Sequence, residues 1–167
     1  GDFVVTWQSN GPDGSGNGIY GQRYSADGTP SGSEFRINTY TSNDQSYPSV
    51  TSLADGGFVV TWQSRGQDVS EYGIYGQRYA ADGAPSGAEF QVNTYTLNHK
   101  FYPSVASLDD GGFVVTWQSV GLPGVGQDGD KTGIFGQRYA ADGTASGAEF
   151  QINTYTSRYQ SDQSVTS

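Results

Sequence analysis

Gly57-Phe-Val-Val-Thr-Trp-Gln-Ser64 is the stretch on which the reading of this 167-residue chain turns. It occurs again as Gly1-Asp-Phe-Val-Val-Thr-Trp-Gln-Ser9 and as Gly112 to Ser119. In an extended strand Phe58, Val60 and Trp62 point one way, and Val59, Thr61 and Gln63 point the other. Valine, threonine and aromatic residues suit a pleated, half-buried surface. Asp55-Gly56-Gly57 and Asp110-Gly111-Gly112 in front of it are turn chemistry, because glycine enters positive φ without steric cost. Apolar groups on both faces are expected of a strand whose sheet is packed on two sides.

Three further landmarks repeat in step with this strand. Trp7, Trp62 and Trp117 stand 55 residues apart. Gly18-Ile-Tyr-Gly-Gln-Arg-Tyr24 returns at Gly73 to Tyr79 and, with Phe135 in place of tyrosine, at Gly133 to Tyr139. Glu34-Phe-Arg-Ile-Asn-Thr-Tyr-Thr41 returns at Glu89 to Thr96 and Glu149 to Thr156. Tyr47-Pro-Ser-Val-Thr-Ser52 returns at Tyr102 to Ser107 and, shortened, at Gln163 to Ser167. Asp27-Gly28, Asp82-Gly83 and Asp142-Gly143 predict a hairpin turn between the second and third strands of each unit. The loop after the first strand is five residues longer in the third copy, Ser119 to Thr132, which marks it as solvent-facing.

Four short antiparallel strands per repeat, in units of approximately 1–55, 56–110 and 111–167, predict an all-β chain. The expected architecture is a β-propeller-type repeat of three four-stranded antiparallel blades in a single domain. A β-trefoil, also built from three four-stranded units, is the alternative. Units near 55 residues are long for a trefoil, and the first unit begins in mid-pattern. That start reads as a processed product or a piece of a longer protein.

Charge and composition narrow the partners. The net charge is −9, from 17 acidic and 8 basic residues. Nucleic-acid binding and docking on anionic lipid both depend on clustered Lys and Arg, so neither partner is expected. No apolar run approaches membrane-spanning length. With no cysteine, disulfides are excluded and packing alone must hold the fold.

The run Pro103-Ser-Val-Ala-Ser-Leu-Asp-Asp-Gly-Gly-Phe-Val-Val-Thr-Trp-Gln-Ser119, followed by Gly133-Ile-Phe-Gly-Gln-Arg-Tyr-Ala-Ala-Asp-Gly143 and Glu149-Phe-Gln-Ile-Asn-Thr-Tyr-Thr156, resembles the tandem repeats of large secreted bacterial proteins. Such repeats occur in surface and RTX-type exported proteins and are taken to be propeller-like. The resemblance covers essentially the whole chain and implies an extracellular or cell-surface setting. It implies no particular activity. The glycine-aspartate nonapeptides that bind calcium in RTX proteins are absent here.

Candidate functional residues are few. Trp7, Trp62 and Trp117 could stack on sugars, but mid-strand placement beside Phe and Val predicts burial between blades. Arg23, Arg78 and Arg138 are expected to be structural, pairing with Glu34, Glu89 and Glu149 or with Asp27, Asp82 and Asp142 through a planar, bidentate guanidinium. Tyr47, Tyr72 and Tyr102, in the variable rim segments, are the candidate glycan contacts. Asp13, Asp128 and Asp130 sit in Gly-Asp loops whose oxygens could approach calcium, although no loop carries the full set of spaced acids that calcium loops use. His99 is the one histidine, so a His-pair metal site or a repeated triad is excluded. Asp109 and Asp110 are neighbours on one turn, not carboxylates facing across a cleft. From these points the chain is expected not to be an enzyme.

The leading expectation is a non-catalytic extracellular module for assembly, scaffolding or adhesion. The alternative is a carbohydrate-binding lectin with one site per repeat. Propellers close with four to eight blades. Gln163–Ser167 is therefore expected to pair with Asp2–Gln8 of another copy, or of adjoining repeats, giving a homo-oligomeric ring or a filament.

Overall fold

A computed structural model describes residues 1–11, 14–122 and 124–167. Its described residues hold eleven strands and no helix, in three antiparallel sheets. The first sheet comprises β1 (Phe3–Asn10), β2 (Asn17–Tyr24) and the short β3 (Phe35–Arg36). The second runs in chain order through β4 (Gln45–Ser52), β5 (Phe58–Arg65), β6 (Tyr72–Tyr79) and β7 (Pro85–Gln91). The third repeats that order with β8 (His99–Ser107), β9 (Phe113–Val120), β10 (Thr132–Tyr139) and β11 (Ala145–Gln151). None of the three closes on itself.

Three sheets of four strands were expected, and the first sheet has three. The reason is how the Tyr-Pro segment pairs. It leads forward, so that β4 lies against β5 with Val50 opposite Val60, and β8 lies against β9 with Val105 opposite Val115. Each four-stranded sheet thus takes its first strand from one repeat and the other three from the next. Gln163–Ser167, the third Tyr-Pro segment, is not a strand.

The turns form where the sequence places them. Ala80 N donates to Ala84 O at 2.9 Å and Gly83 N to Ala80 O at 2.8 Å, with Gly83 at φ +88°. Leu53 and Gly56 close the β4–β5 turn in the same manner, and Asp55 Oδ1 accepts Gly57 N at 2.9 Å. A Cβ at Gly57 would run into the Tyr79 carbonyl, so glycine is required there by close approach rather than by dihedral.

Two apolar layers hold the sheets face to face. Between the first and second sheets lie Ile19 and Ile37 against Phe58, Val60, Trp62, Tyr75 and Tyr79. Between the second and third lie Val59, Ile74 and Val92 against Phe113, Val115, Trp117 and Tyr139. β5 is therefore sandwiched and almost wholly buried; β9 is buried along most of its length although only one face of its sheet meets another sheet, and β1 alternates between exposed and half-buried residues. Trp62 and Trp117 have no exposed surface, and Trp7 is half-buried.

Side chains of the repeat motifs stitch the strands. Asn38, Asn93 and Asn153 each accept from the backbone of a second-strand isoleucine, at 2.6 to 2.7 Å. Gln77 Nε2 donates to the carbonyls of Arg78 and Gly87, at 2.9 and 3.1 Å, filling the bulge between β6 and β7.

Candidate functional site

Tyr47, Tyr72 and Tyr102 come together around one cavity of about 290 Å³. Tyr47 and Tyr102 are the same position of successive repeats. Each sits at a break in register, between Ser46 and Ser49 in β4 and between Phe101 and Ser104 in β8. Their φ angles are +56° and +53°, a left-handed conformation that a bulky residue adopts only where its surroundings enforce it. The enforcement is visible. Tyr47 N donates to Gln8 Oε1 at 3.0 Å, and Tyr102 N donates to Gln63 Oε1 at 3.3 Å. Gln8 and Gln63 follow the tryptophans of β1 and β5, so the core strands aim the rim tyrosines.

The two rings meet edge to face with centroids 4.9 Å apart, and each is about half exposed. Tyr72 reaches the same cavity from β6 and packs on Phe101 at 5.0 Å. Phe101 in turn lies 5.9 Å from Tyr102, while Arg65 stands 5.8 Å from the Tyr72 ring centroid. The polar lining is Gln8, Asn17, Asp44, Ser46 and Gln63. Asp44 Oδ1 already accepts Asn17 N at 3.0 Å, which fixes the carboxylate at the cavity wall. Aromatic faces beside fixed amide and carboxylate groups can take a small ligand that is apolar on one side and hydroxylated on its edge.

Phe101, Gln8, Gln63 and Asp44 were not foreseen as site residues. Phe101 had a signal, since it stands where the first repeat has Ser46. The glutamines had none, because they lie in the invariant part of each copy. In the third repeat Asp162 takes the tyrosine position, at φ +62°, so the paired-tyrosine arrangement occurs once among the described residues.

One residue before Phe101, Lys100 occupies the place of Gln45 and Gln160 in the other repeats. It is fully buried. Its Nζ donates to the carbonyls of Leu97 and Asn98, the latter at 2.8 Å, and lies 4.9 Å from the Tyr95 ring centroid. Burial pulls its pKa down to about 8, against the opposing pull of Asp68 and Glu149.

A larger cavity of about 670 Å³ opens between β3 and β7, lined by Phe35, Ile37, Tyr79, Pro85 and Glu89. Glu89 there is already engaged by Thr39 and Gln67, so this space is an inter-sheet seam.

The arginines form no ion pair with either set of acids expected for them among the described residues, although the Arg78 charge adds to the Thr144 hydrogen bonds that lower the Asp142 pKa. Arg23 donates to the carbonyls of Ala81, at 2.7 Å, and Asp82, and Arg78 donates to Ala141 O at 2.7 Å. These two guanidinium groups therefore clasp the hairpin turn of the next sheet. Their acidic partners, where present, are Asp55 for Arg78 at 3.5 Å and Asp110 for Arg138 at 2.8 Å. Glu89 and Glu149, two of the glutamates expected to pair with them, face the opposite direction, onto Thr39 and Thr94.

Of the candidate calcium residues, Asp13 lies outside the described residues. Asp128 Oδ1 accepts Asp130 N at 3.1 Å, and Asp130 Oδ2 accepts Arg158 N at 2.7 Å. No group of three or more His, Asp or Glu side chains gathers as a metal site among the described residues.

No known family and no curated protein matches this chain in sequence. Among the solved structures that superpose on it are the following two. An α-L-arabinofuranosidase from Lactobacillus brevis superposes with a TM-score of 0.56 over 85% of this chain, at 14% identity. An endo-arabinase from Bacteroides thetaiotaomicron VPI-5482 gives a TM-score of 0.48 over 78% of the chain, at 17% identity. This chain spans 50% of the length of each. The first likeness corrects the expectation that the chain is not an enzyme, since its fold is shared with a glycoside-cleaving one. The missing histidines exclude only triads and His-pair metal sites. Carboxylates that meet across a cleft come from distant parts of a sequence and leave no local motif.

Proposed function

We propose that this chain binds carbohydrate in the cavity between Tyr47, Tyr72 and Tyr102, and that its three sheets are blades of a propeller-type repeat. The observation that carries the binding reading is the Tyr47–Tyr102 pair. Two half-exposed rings are held edge to face by left-handed backbones, over a wall of Gln8, Asn17, Asp44 and Gln63. A sugar ring offers C–H groups to an aromatic face and hydroxyls to amides and carboxylates, and this lining supplies both. The volume is at the lower end for ligand pockets, about 300 Å³, which suits a short glycan or a chain end. The propeller reading is supported by four-stranded meanders in strict chain order, packed face to face through repeated Phe-Val-Trp layers. Arabinose-containing glycans are the first ligands to try, because the superposed enzyme is an arabinofuranosidase. A cell-surface or secreted setting would present such glycans.

A glycan array, followed by calorimetry on its hits, tests the proposal. Binding to one sugar class should weaken tenfold or more in Tyr102→Ala and stay unchanged in Tyr159→Ala, whose exposed ring lies outside the cavity. Silence across the array, or equal binding by both variants, overturns it. Following the same hits for released sugar shows whether a bound glycan is also cleaved.

A further inference from the structure

The two interfaces inside this chain are built from the same two halves. One half is contributed by the earlier sheet. It presents Ile19, Ile37 and Phe35 in the first interface, and Ile74, Val92 and Phe90 in the second. The other half comes from the later sheet, as Phe58, Val60 and Trp62, then as Phe113, Val115 and Trp117. Each half also occurs a third time, on the outside of the molecule. The free face of the third sheet carries the earlier-sheet set, Ile134, Ile152 and Phe150, with Ile152 45% and Phe150 41% exposed. Across the molecule, the free face of the first sheet carries the later-sheet set, Phe3, Val5 and Trp7, with Phe3 48% and Val5 44% exposed.

Polar clamps follow the same rule. In each inner interface an arginine of the earlier sheet reaches the hairpin turn of the later one, Arg23 to Ala81 and Arg78 to Ala141. A glutamate of the later sheet reaches back to a threonine of the earlier one, Glu89 to Thr39 and Glu149 to Thr94. The members that meet no neighbouring sheet are Arg138, which bonds Asp110 of its own sheet at 2.8 Å, and Thr154 on the third sheet, and the Ala26-Asp27 turn and Glu34 on the first. Charge, hydrogen-bonding groups and apolar shape on the two outer faces therefore match in the sense used twice within the chain.

The strand edges agree. Val105 N donates to Ser49 Oγ at 3.1 Å where β8 lies beside β4. Val165 N donates to Ser104 Oγ at 3.3 Å, so Gln163–Ser167 holds the corresponding place beside β8. β5 and β9 pair with the strands at that place, Val60 opposite Val50 and Val115 opposite Val105.

We infer that the third sheet of one copy receives the first sheet of a second copy, head to tail. Gln163–Ser167 then pairs with β1 of that copy as β4 pairs with β5, with Val165 opposite Val5 and Ser164 opposite Thr6. Arg138 clasps the Ala26-Asp27 turn of the second copy, whose Glu34 takes Thr154. Both contacts of this kind satisfied between two copies give a closed ring, and contacts that do not close give a filament.

Val5→Asp and Ile152→Asp each damage one outer face at a residue exposed in the single chain. Sedimentation velocity should show wild-type chain gaining mass with concentration, and each variant alone as a monomer. Mixing the two should restore one intact contact and produce a dimer of twice the monomer mass that does not grow further. Phe3→Asp and Phe150→Asp provide a second such pair should circular dichroism show that either first variant is unfolded. A wild-type chain that stays monomeric at sub-millimolar concentration overturns the inference, leaving the faces to other repeats of a longer polypeptide. Folded variants that assemble like wild type, or that stay monomeric when mixed, overturn it as well.

Discussion

Glu89 reaches from the second sheet to Thr39 of the first, where its Oε2 accepts the backbone N–H at 2.7 Å and the hydroxyl at 3.0 Å. Glu149 makes the same pair of bonds to Thr94, at 2.7 and 3.0 Å. The other oxygen of each carboxylate takes a side-chain amide, from Gln67 and Gln127 respectively. One carboxylate thus ties a long loop to a neighbouring sheet.

Glu89→Ala should cost about 1–2 kcal/mol, the scale of hydrogen bonds to a charged acceptor at a partly exposed site. Glu34→Ala should be near neutral in the single chain, because Glu34 lies exposed on the first sheet. Urea titrations of both variants make the comparison. Equal losses would show that the clamp contributes nothing beyond general surface charge.

Trp62 and Trp7 are the same residue of the repeat in different burial. Trp62 has no exposed surface, while Trp7 faces an unpartnered side of the first sheet. A buried tryptophan removes about 150–250 Å² from water, and its truncation leaves a cavity. Trp62→Ala should destabilise by about 3–5 kcal/mol and Trp7→Ala by clearly less, in dilute monomer. Thermal melts decide it, and similar losses would contradict the packing order.

Lys100 makes a pH prediction. Its folded pKa is about 8, below the ordinary 10.5, so the unfolded chain holds the proton more tightly. The destabilisation is fully present below pH 8 and is relieved as pH rises from about 8 towards 10.5. Lys100→Gln restores the residue of the other repeats, whose amide donates to the loop carbonyls of Ser42 and Ser157, each at 2.9 Å. It should raise stability at pH 7 by about 1–3 kcal/mol and flatten the rise above pH 8. The measurement belongs below pH 10. Above it the buried phenols of Tyr75, Tyr79 and Tyr139, whose pKa values burial pushes up, reverse the slope. A variant less stable than wild type at pH 7 would contradict the argument.

Calcium at the long third loop would find two carboxylates and no third ligating side chain among the described residues. Asp128 and Asp130 spend one oxygen each on backbone N–H groups. Melting curves in millimolar Ca²⁺ and in chelator should therefore coincide. A site at a hundredfold excess over its Kd would add about 2.7 kcal/mol, which such melts resolve easily.

How much of this was legible in the sequence follows from the range of the forces involved. Alternation of Phe58, Val60 and Trp62, and the Asp-Gly steps, are local, so strands and hairpins could be located from residues alone. The repeat also showed that Tyr47 and Tyr102 are equivalent. Tertiary structure decided which strands pair, because Tyr47-Pro48 bonds to the strand that follows it rather than to its own repeat. It decided the partners of the arginines and glutamates, since a charged group takes whatever oxygen or N–H the adjoining sheet brings near. It also brought Tyr47, Tyr72 and Tyr102 to one cavity, through two register shifts and two glutamine side chains. None of these has a local signature, because each bond joins residues tens of positions apart that only the stacking of sheets makes neighbours.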